Sequence, residues 1–329
     1  MTEPVRWGVL GAASIAVNRV LPAMKTSELS HVVAIASRSL EKSLTVAADL
    51  GIDRAYNGYE DLLADSEVEA VYIPLPNHLH AEWTIGALSA GKHVLCEKPL
   101  ATNSADARTM VAAAEAGGVK LMEAFMYRLH PLWVEVRRMV DEGLIGDLLA
   151  VQSFFSYRNV DPDNIRNIAD YGGGALLDIG CYPVNLARML FGSEPTDVKG
   201  SIQRLTASGT DVLTSAILDF GGRQASFTCS TLLEDHQRVD VVGTAGRLVV
   251  EIPYNIPPDR PTRFLHIAGG DPPVAPGVEV HEIPPADQYA IQADAFSRAV
   301  RHDVDVPTPP ADAVANLEVI ERIFSDPGC

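Results

Sequence analysis

The sequence predicts an α/β protein of two domains: residues 1–125 form a doubly wound parallel sheet, and residues 126–329 form an α+β domain with a mostly antiparallel sheet. First, the chain has 329 residues, of which 47% are hydrophobic, which suits two packed cores. Second, short apolar runs alternate with amphipathic helical segments up to residue 125. Third, the later strand-like runs follow one another through glycine-rich turns, with few helices between them.

In the first 125 residues, the strand candidates are short and apolar, and the helix candidates are rich in Ala, Leu and Glu. This alternation is typical of βαβ units, whose buried parallel strands are covered by helices. The predicted strands are Arg6–Leu10, Val32–Ala36, Ala70–Ile73, His93–Leu95 and Lys120–Met122, and the predicted helices are Leu40–Leu50, Ala81–Ala90 and Ala105–Ala116.

The second half begins with a predicted helix at Leu132–Glu142 and then changes to strands. Gly221-Gly222 predicts a hairpin turn between two of them, and the proline-rich stretch Ile252–Pro276 is expected to be a loop or an edge strand. Two helices, Gln288–Arg301 and Ala311–Phe324, are expected to close the chain. The predicted strands are Leu149–Tyr157, Val212–Leu218, Ala225–Cys229, Arg238–Val242 and Arg247–Glu251.

Composition excludes several classes of function. The chain has 26 basic and 43 acidic residues, a formal charge of −17, which disfavours binding to nucleic acid or to anionic membranes. The four cysteines, at positions 96, 181, 229 and 329, are isolated in the sequence, as in reduced cytoplasmic proteins. No apolar stretch approaches the ~20 residues that span a bilayer. We therefore expect a cytoplasmic protein, and we expect no metal because no histidine or carboxylate cluster has ligand spacing.

The segment after the first strand indicates a dinucleotide site. Gly11-Ala12-Ala13-Ser14-Ile15-Ala16 fits the Rossmann fingerprint loosely, as G-x-A-x-x-A. Gly11 allows the tight turn, and the small side chain of Ala13 lets the backbone approach a pyrophosphate. Turns of small residues between a strand and a helix are also common where no ligand binds. The prediction therefore depends on the position of this segment directly after the first strand.

The end of the second strand favours NADP(H) over NAD(H). An NAD site usually offers a carboxylate there for the ribose hydroxyls. Here the strand ends with Ser37 and Arg38, with Lys42 one turn later and no carboxylate before Glu41. A hydroxyl and a guanidinium suit a 2′-phosphate. Solvated surface cations are the alternative, more so for Lys42 than for Arg38, and NAD(H) stays open as the cofactor.

Two further segments are candidates for the chemistry. Glu97-Lys98-Pro99 follows a strand, so that Lys98 is expected at the carboxyl edge of the sheet, and Pro99 favours a cis bond. The second segment, residues 172–185, opens with three glycines and continues as a helix. Asp178, Tyr182 and Asn185 lie at i, i+4 and i+7, on one face. A glycine and a proline inside this helix cost about 1 and 3 kcal/mol relative to alanine, which predicts a kink and a functional polar face.

These motifs resemble the Gfo/Idh/MocA family of NAD(P)-dependent sugar and inositol oxidoreductases over nearly the whole chain. The resemblance implies a Rossmann domain, a C-terminal α/β domain whose open sheet mediates dimers or tetramers, and a nicotinamide between Lys98 and the helix that carries Tyr182. Tyrosine at position 182 is typical of the glucose-fructose oxidoreductase, aldose dehydrogenase and ketosugar reductase branches. The matching motifs are Gly11-Ala12-Ala13-Ser14-Ile15-Ala16, Pro76-Asn77-His78-Leu79-His80, Glu97-Lys98-Pro99, Ala124-Phe125-Met126-Tyr127-Arg128 and Asp178-Ile179-Gly180-Cys181-Tyr182.

The residue patterns and this resemblance together define candidate site residues. The candidates for binding the cofactor are Gly11, Ala13, Ser14, Ile15, Ser37, Arg38, Lys42, Pro76, Asn77, His80, Glu97, Lys98 and Arg128. The candidates for contacting the substrate are Tyr127, Arg158, Asn159, Arg166 and Asn185.

The catalytic hypothesis joins Tyr182, Lys98 and Asp178. An unperturbed tyrosine has a pKa near 10, too high for a base at neutral pH. A lysine ammonium nearby favours the phenolate and polarises the substrate oxygen. We therefore expect Tyr182 to donate or accept the proton, Lys98 to be its electrostatic partner, and Asp178 to orient substrate hydroxyls or Lys98.

Several functions stay open at this point. The enzyme oxidises an aldose at its anomeric carbon, or it reduces a ketosugar, free or nucleotide-linked, for which Arg158 and Arg166 would bind the diphosphate. A trans-dihydrodiol dehydrogenase is a related alternative. A non-catalytic NADP-binding regulatory protein is the alternative of another class, but it would be expected to lack the lysine or the tyrosine. The expected partners are a sugar or nucleotide sugar and further copies of the chain, in a homodimer or homotetramer formed through the C-terminal sheet.

Overall fold

A computed structural model describes residues 3–269 and 277–326 of the chain. The chain divides into two units, Met1–Met126 with Tyr289–Val314 and Tyr127–Gln288 with Ala315–Cys329. The chain first passes from one unit to the other after Met126, one residue from the predicted boundary at residue 125. The sequence assigns everything after that boundary to the second domain, whereas in the structure residues 289–314 belong to the first unit.

The first unit is built on a six-stranded sheet. Its strands are β1 (Val5–Leu10), β2 (Ser30–Ser37), β3 (Arg54–Asn57), β4 (Ala70–Ile73), β5 (His93–Cys96) and β6 (Leu121–Glu123). Their order is β3-β2-β1-β4-β5-β6, and each neighbouring pair is parallel, which confirms the doubly wound parallel sheet. The sequence does not predict β3, because its four residues lie partly exposed at the edge and form no apolar run.

Helices connect these strands and recur in the second half of the chain. The α-helices are α1 (Leu21–Lys25), α2 (Leu40–Leu50), α3 (Glu60–Ala64), α4 (His80–Ser89), α5 (Ser104–Gly117), α6 (Pro131–Asp141), α7 (Cys181–Phe191), α8 (Gln288–His302) and α9 (Pro310–Phe324). Two segments are π-helical, Ala16–Val20 before α1 and Leu176–Gly180 before α7. No helix within the described ranges is long and apolar enough to cross a membrane.

Helix α8 belongs to the first unit because its apolar stripe completes that unit's core. Ala293, Phe296 and Ala299 recur every three residues and are buried in the cluster that contains Trp7 of β1. The rings of Trp7 and Phe296 lie 5.3 Å apart, and the indole N–H of Trp7 donates to Ser297 Oγ at 3.2 Å. The core of the parallel sheet is therefore closed by residues from near the end of the chain.

A charged contact reinforces this closure. The Arg301 guanidinium donates to both carboxylate oxygens of Glu69, at 2.7 and 2.6 Å. It also donates to the backbone carbonyls of Glu3 and Pro4, at 2.8 and 2.6 Å. The hydrogen bonds from Arg301 to the Glu69 carboxylate are the main reason that the pKa of Glu69 is lowered. Arg301 thus ties the end of α8 to the start of β1 and to the residue before β4.

The second unit is built on an eight-stranded sheet. Its strands are β7 (Leu148–Arg158), β8 (Asp197–Arg204), β9 (Asp211–Asp219), β10 (Gln224–Ser230), β11 (Leu232–Gly243), β12 (Gly246–Val250), β13 (Thr262–Ala268) and β14 (Val278–Ile283). The order is β14-β13-β12-β11-β7-β10-β9-β8, with antiparallel neighbours except for the parallel pair β7 and β10. The mostly antiparallel sheet and the Gly221-Gly222 hairpin between β9 and β10 are confirmed.

Strands β8, β13 and β14 are absent from the sequence prediction. The stretch Ile252–Pro276 is predicted to be loop or edge, but β13 lies inside it and has a neighbour on each side. Its prolines flank the strand and leave Thr262–Ala268 without one, so a composition average hides it. Residues 270–276 of that stretch, and Cys329, lie outside the described residues. The other three cysteines are buried.

The two faces of the second sheet differ in burial. Along β7, Val151, Ser153 and Phe155 are buried, whereas Gln152 and Phe154 alternate with them and are more exposed. The face that bears Gln152 and Phe154 carries a groove, which Ile217 and Arg238 also line. Side chains of the buried face pack against α7, and this packing positions the candidate catalytic helix.

The Arg301 contact predicts a pH-dependent loss of stability in Arg301→Gln. At neutral pH we expect the free energy of unfolding to fall by about 1.5–3 kcal/mol, as for hydrogen bonds to a charged group. Because the pKa of Glu69 is lowered in the folded state, its contribution is complete above the ordinary glutamate pKa and is lost as the pH falls through the lowered value. Urea unfolding of both proteins, at neutral pH and in acid, should show the difference shrinking in acid.

The control for that experiment is Arg298→Gln, at an exposed position of the same helix. It should change the free energy of unfolding by less than about 0.5 kcal/mol. A deficit of Arg301→Gln that stays constant between neutral pH and acid would contradict the pairing with Glu69.

Candidate active site

The first unit gathers most of its candidate cofactor residues at one edge of its sheet. The strands are parallel, so the segments that follow them leave from the same edge. Strand β1 has β2 on one side and β4 on the other, and the chain order reverses there. Ligands of open α/β sheets bind in the crevice at such a switch point. Ser37 ends a strand at this edge, and Gly11, Pro76 and Glu97 each follow one.

The turn after β1 has the geometry of a phosphate-binding turn. Gly11 has φ +112°, and a Cβ at this position would lie 2.8 Å from Leu75 Cδ2, so only glycine fits. Its N–H donates to Ala36 O at 2.8 Å. The chain becomes helical at Ser14, which is exposed, and Ala13 and Ile15 are half-buried. The backbone N–H groups of a helix start favour an anion at this position.

The end of β2 carries cations and hydroxyl groups. Ser37 is buried, and its Oγ accepts from Ser39 N at 3.3 Å. Ser39 in turn caps α2 by accepting from Lys42 N at 3.3 Å. Arg38 and Lys42 are exposed, and residues 37–40 include no carboxylate. The contact of these residues with the cofactor stays a prediction.

The segment after β5 positions Lys98. Glu97 Oε1 accepts from the hydroxyl of Tyr72 on β4, at 2.7 Å. The Lys98–Pro99 peptide is cis, as the sequence favours. The next residue is fixed as well, because Leu100 N donates to Glu123 Oε1 at 2.7 Å. Neighbouring strands thus hold the backbone on both sides of the lysine.

His80 lies beneath these turns and has no exposed surface. Its Nδ1 lies 2.8 Å from Pro99 O and its Nε2 lies 2.7 Å from Leu75 O. Burial lowers the pKa of His80 to about 4, although both carbonyls favour the protonated ring. The prediction that His80 contacts the cofactor is not supported, because its ring nitrogens face the backbone. It instead ties the turn after β4 to the turn after β5.

In the second unit, the glycine run lets a loop pass closely over the start of the candidate helix. A Cβ at Gly173 would lie 2.5 Å from Arg166 O and 2.7 Å from Ile168 O, closer than side chains approach backbone. The run is held to the loop by the N–H of Gly174, which donates to Arg166 O at 2.9 Å. The glycines therefore bring Arg166 to the helix.

The predicted kink is a change of helix type. Leu176–Gly180 is π-helical and continues into α7, a feature that often marks functional sites. Pro183 is the third residue of α7, which follows directly after the π-helical segment. Asp211, from β9, caps the start: its Oδ2 accepts from Leu176 N at 2.7 Å and from Thr214 Oγ1 at 3.0 Å. The polar face of this helix is buried rather than solvated.

Asp178 on the π-helical segment is the centre of a polar cluster. Its carboxylate accepts a short hydrogen bond from the Tyr157 hydroxyl and lies 3.2 Å from Arg166 Nε. The Asp178 charge is the main reason that the pKa of Arg166 is raised, and Tyr157 and Tyr182 add to it. Asp178, Arg166, Tyr157 and Tyr182 are thus brought together, and three of the four are predicted site residues.

The Tyr182 ring is fixed by other aromatic rings. Its centroid lies 5.8 Å from that of Tyr127, 5.7 Å from that of Phe155 and 5.1 Å from that of Tyr254. Tyr254 shares a hydrogen bond of 2.8 Å with Ser153 Oγ, and burial raises its pKa. The packing restricts the Tyr182 ring to one orientation.

Tyr127, Arg128 and Asn185 form a second polar group. The Tyr127 hydroxyl donates to Asn185 Oδ1 at 2.7 Å, and Arg128 Nη1 donates to the same oxygen at 3.4 Å. Tyr127 and Asn185 are fully buried. These contacts explain why the three residues occur together, and their contact with substrate or cofactor stays a prediction.

Two predicted substrate residues bond to groups outside the cluster around Asp178, and their contact with substrate stays a prediction. Arg158 ends β7 one residue after Tyr157 and therefore points to the opposite face of the strand, where its Nη1 donates to Leu232 O at 3.2 Å. Asn159 accepts from Asn167 Nδ2 at 3.3 Å and helps to close the loop. Tyr157 is not among the predicted site residues, although the period of two through Val151, Ser153 and Phe155 places it on the same face of β7.

Two family models match the chain. The model of an oxidoreductase family with an NAD-binding Rossmann fold (GFO_IDH_MocA) matches residues 5–125. The model of the GFO/IDH/MocA C-terminal domain matches residues 133–249.

Individual proteins are similar over most of their length. The dTDP-3,4-didehydro-2,6-dideoxy-α-D-glucose 3-reductase of Streptomyces violaceoruber is 40% identical over 300 residues, which cover 90% of this chain and 85% of that protein. The D-xylose 1-dehydrogenase (NADP⁺) 2 of Haloferax volcanii is 37% identical over 320 residues, which cover 97% and 96%. The crystal structure of the 3-ketoreductase KijD10 from Actinomadura kijaniata, in complex with NADP and TDP-benzene, has a TM-score of 0.91 at 33% identity and covers 98% and 97%.

Proposed function

The chain belongs to the Gfo/Idh/MocA family of oxidoreductases, and from that premise we propose that it is an NADP(H)-dependent dehydrogenase that oxidises a free sugar at its anomeric carbon. The observation that carries the proposal is the cluster of Asp178, Arg166 and Tyr157 with Tyr182. A carboxylate, a guanidinium and phenols together offer the donors and acceptors that a polyhydroxylated substrate needs.

The residues of the first unit fit NADP(H). The turn at Gly11 and the helix start at Ser14 would hold the pyrophosphate. Arg38, with Ser37 and Lys42, would hold the 2′-phosphate, since the end of β2 offers a guanidinium and no carboxylate. Two of the similar proteins support this choice, because one is named for NADP⁺ and the other was solved with NADP. When bound at these residues, NADP⁺ would supply the acceptor for the hydride of the sugar carbon.

Tyr182 is proposed as the residue that takes up the proton of the substrate hydroxyl. Its Oη accepts that proton during oxidation and returns it in the reverse direction. Because an ordinary tyrosine has a pKa near 10, a cation is needed to favour the phenolate, and Lys98 is proposed for that role. Asp178, held by Arg166 and Tyr157, is proposed to accept hydrogen bonds from sugar hydroxyls.

A free sugar is favoured over a nucleotide-linked one by the positions of two arginines. A diphosphate would require cations that are not already neutralised. Arg166 is paired with Asp178, and Arg158 lies on the opposite face of β7. Reduction of a nucleotide-linked ketosugar is the second candidate, and it is supported by the similarity to the dTDP-sugar reductase.

We also propose that the chain forms a homodimer or homotetramer through the groove-bearing face of the second sheet. This face carries Ile217, which is 49% exposed, beside Phe154 and Arg238. The groove on this face, lined by apolar and charged side chains from several strands, would be the surface that a second copy of the chain covers.

The proposed function is tested by following nicotinamide absorbance with NADP⁺ or NAD⁺ and a panel of free aldoses, cyclic polyols and trans-dihydrodiols. We expect reduction of NADP⁺ by at least one aldose. Activity with a dihydrodiol alone would contradict the sugar assignment. Oxidation of NADPH by a dTDP-ketosugar, without any aldose activity, would replace the proposal with its second candidate.

Arg38→Ala is expected to change cofactor preference. Loss of a charge-assisted contact to the 2′-phosphate should lower kcat/KM for NADP⁺ by roughly 10- to 100-fold, the equivalent of about 1.5–3 kcal/mol. The value for NAD⁺ should change little, because NAD⁺ has no such phosphate. Arg298→Ala, exposed in the same unit, is the control. An equal loss with both cofactors would contradict the assignment of Arg38.

Tyr182→Phe is expected to lower kcat by about 10²–10⁴-fold, the usual contribution of a general acid or base. The affinity for NADPH, measured by fluorescence titration, should be unchanged because the hydroxyl is not assigned to the cofactor. Tyr56→Phe removes a hydroxyl that bonds Asp65 in the first unit and serves as the control. Turnover of Tyr182→Phe at the wild-type rate would refute the role given to Tyr182.

A further inference from the structure

Three side chains that can bind metals meet at the edge of the second sheet, outside the residues of the proposed active site. They are His266 on β13 and Glu279 and His281 on the edge strand β14. In the register of these strands, His266 is directly opposite Glu279, and Phe264 is opposite His281. All three side chains therefore project from one face of the strand pair.

The distances between their donor atoms suit a single small cation. Glu279 Oε2 lies 3.6 Å from His266 Nδ1 and 3.5 Å from His281 Nε2. One donor atom from each residue lies within 4.8 Å of the other two. A tetrahedral zinc ion with bonds of about 2.0–2.1 Å holds its nitrogen and oxygen ligands roughly 3.3 Å apart. Each of these carboxylate–imidazole pairs is therefore within a few tenths of an ångström of ligand spacing.

A nitrogen of His281 supplies an independent observation. His281 Nε2 is shielded from solvent and has no hydrogen-bond partner among the described residues, and it is the same atom that faces Glu279. His266 faces Glu279 with its Nδ1. The His281 ring stacks on Phe264 with centroids 4.8 Å apart and planes at 4°, and its Nε2 lies 3.5 Å from Glu279 Oε2. A shielded imidazole nitrogen that faces a carboxylate and makes no hydrogen bond can serve as a metal ligand.

An ion pair alone explains the cluster less well. The contacts of 3.5 and 3.6 Å are longer than a charge-assisted hydrogen bond. The neighbouring carboxylate of Glu135, on α6, is occupied by Arg138, which donates to it at 2.6 and 2.9 Å. Glu279 is thus the carboxylate that faces both histidines, and it is 67% exposed, so that an ion could enter from solvent.

We propose that His266, Glu279 and His281 bind one divalent first-row metal ion, preferentially Zn²⁺, which links the edge strand β14 to β13. Two imidazoles and one carboxylate are a ligand set that zinc favours, with water in the fourth position. This proposal revises the expectation that the chain binds no metal. The ligands lie 13 and 2 residues apart along the chain, a spacing without a sequence motif, and only the pairing of two unpredicted strands brings them together.

The proposal is tested on the full-length chain without a histidine tag, stripped with a chelator and dialysed. Titration with Co²⁺ should produce the visible absorption of a tetrahedral site at one equivalent, and Zn²⁺ should abolish it. Zn²⁺ should also raise the Tm, because an ion that binds only the folded state stabilises it. Wild-type protein without saturable Co²⁺ absorption would overturn the proposal.

Variants locate the site. Glu279→Gln and His281→Gln should each weaken Co²⁺ binding by more than the roughly 10–100-fold that follows loss of an outer-shell partner. His31→Gln, an exposed histidine in the first unit, is the control and should bind as wild type does. Circular dichroism checks that the variants are folded, which is expected for exposed Glu279. Wild-type Co²⁺ affinity in folded Glu279→Gln would overturn the assignment.

Discussion

The second unit depends on one constraint. Helix α7 and the π-helical segment before it carry polar side chains but are buried, so each polar group needs a partner. Residues 181–190 of this helix are all buried. Arg188 is satisfied by Glu194, Asn185 by Tyr127, and Asp178 by Tyr157 and Arg166. Because an unsatisfied buried group costs about 1–3 kcal/mol, these partners fix the neighbouring loop, the end of β7 and the aromatic cluster. The same bonds that satisfy the helix therefore orient the groups proposed to meet the substrate.

The first unit follows a different rule. Its parallel strands end at one edge, so the sheet topology alone brings the turns after β1, β2, β4 and β5 to the same edge. What the structure adds is bracing between turns: Tyr72 holds Glu97, and His80 lies against the carbonyls of Leu75 and Pro99. Such braces keep the edge in one shape, which a dinucleotide site requires before binding.

Local periodicity in the sequence predicts many of the strands and helices. It does not predict which distant residues pair with one another in space. Five of the six strands of the parallel sheet follow from alternating apolar runs, and the tight turn after β1 follows from Gly11. The predicted kink near Pro183 is present as a π-helical segment, but its partners Asp211 and Tyr157 lie 33 residues after and 21 residues before Asp178. Short polar strands such as β3 and β14 have no apolar run to mark them. Because β14 is not predicted, nothing in the sequence indicates that His266 and His281 lie close together at the proposed metal site.

The return of helix α8 to the first unit has a consequence for how the protein is made. When residue 126 leaves the ribosome, every strand of the parallel sheet has been synthesised, but the Phe296 ring that covers Trp7 and the Ser297 hydroxyl that accepts its N–H have not. At about 5–20 residues per second, on the order of 10–30 s pass before they follow. During that interval the nascent domain exposes part of its core, so chaperone binding is most needed between the synthesis of β6 and that of α8.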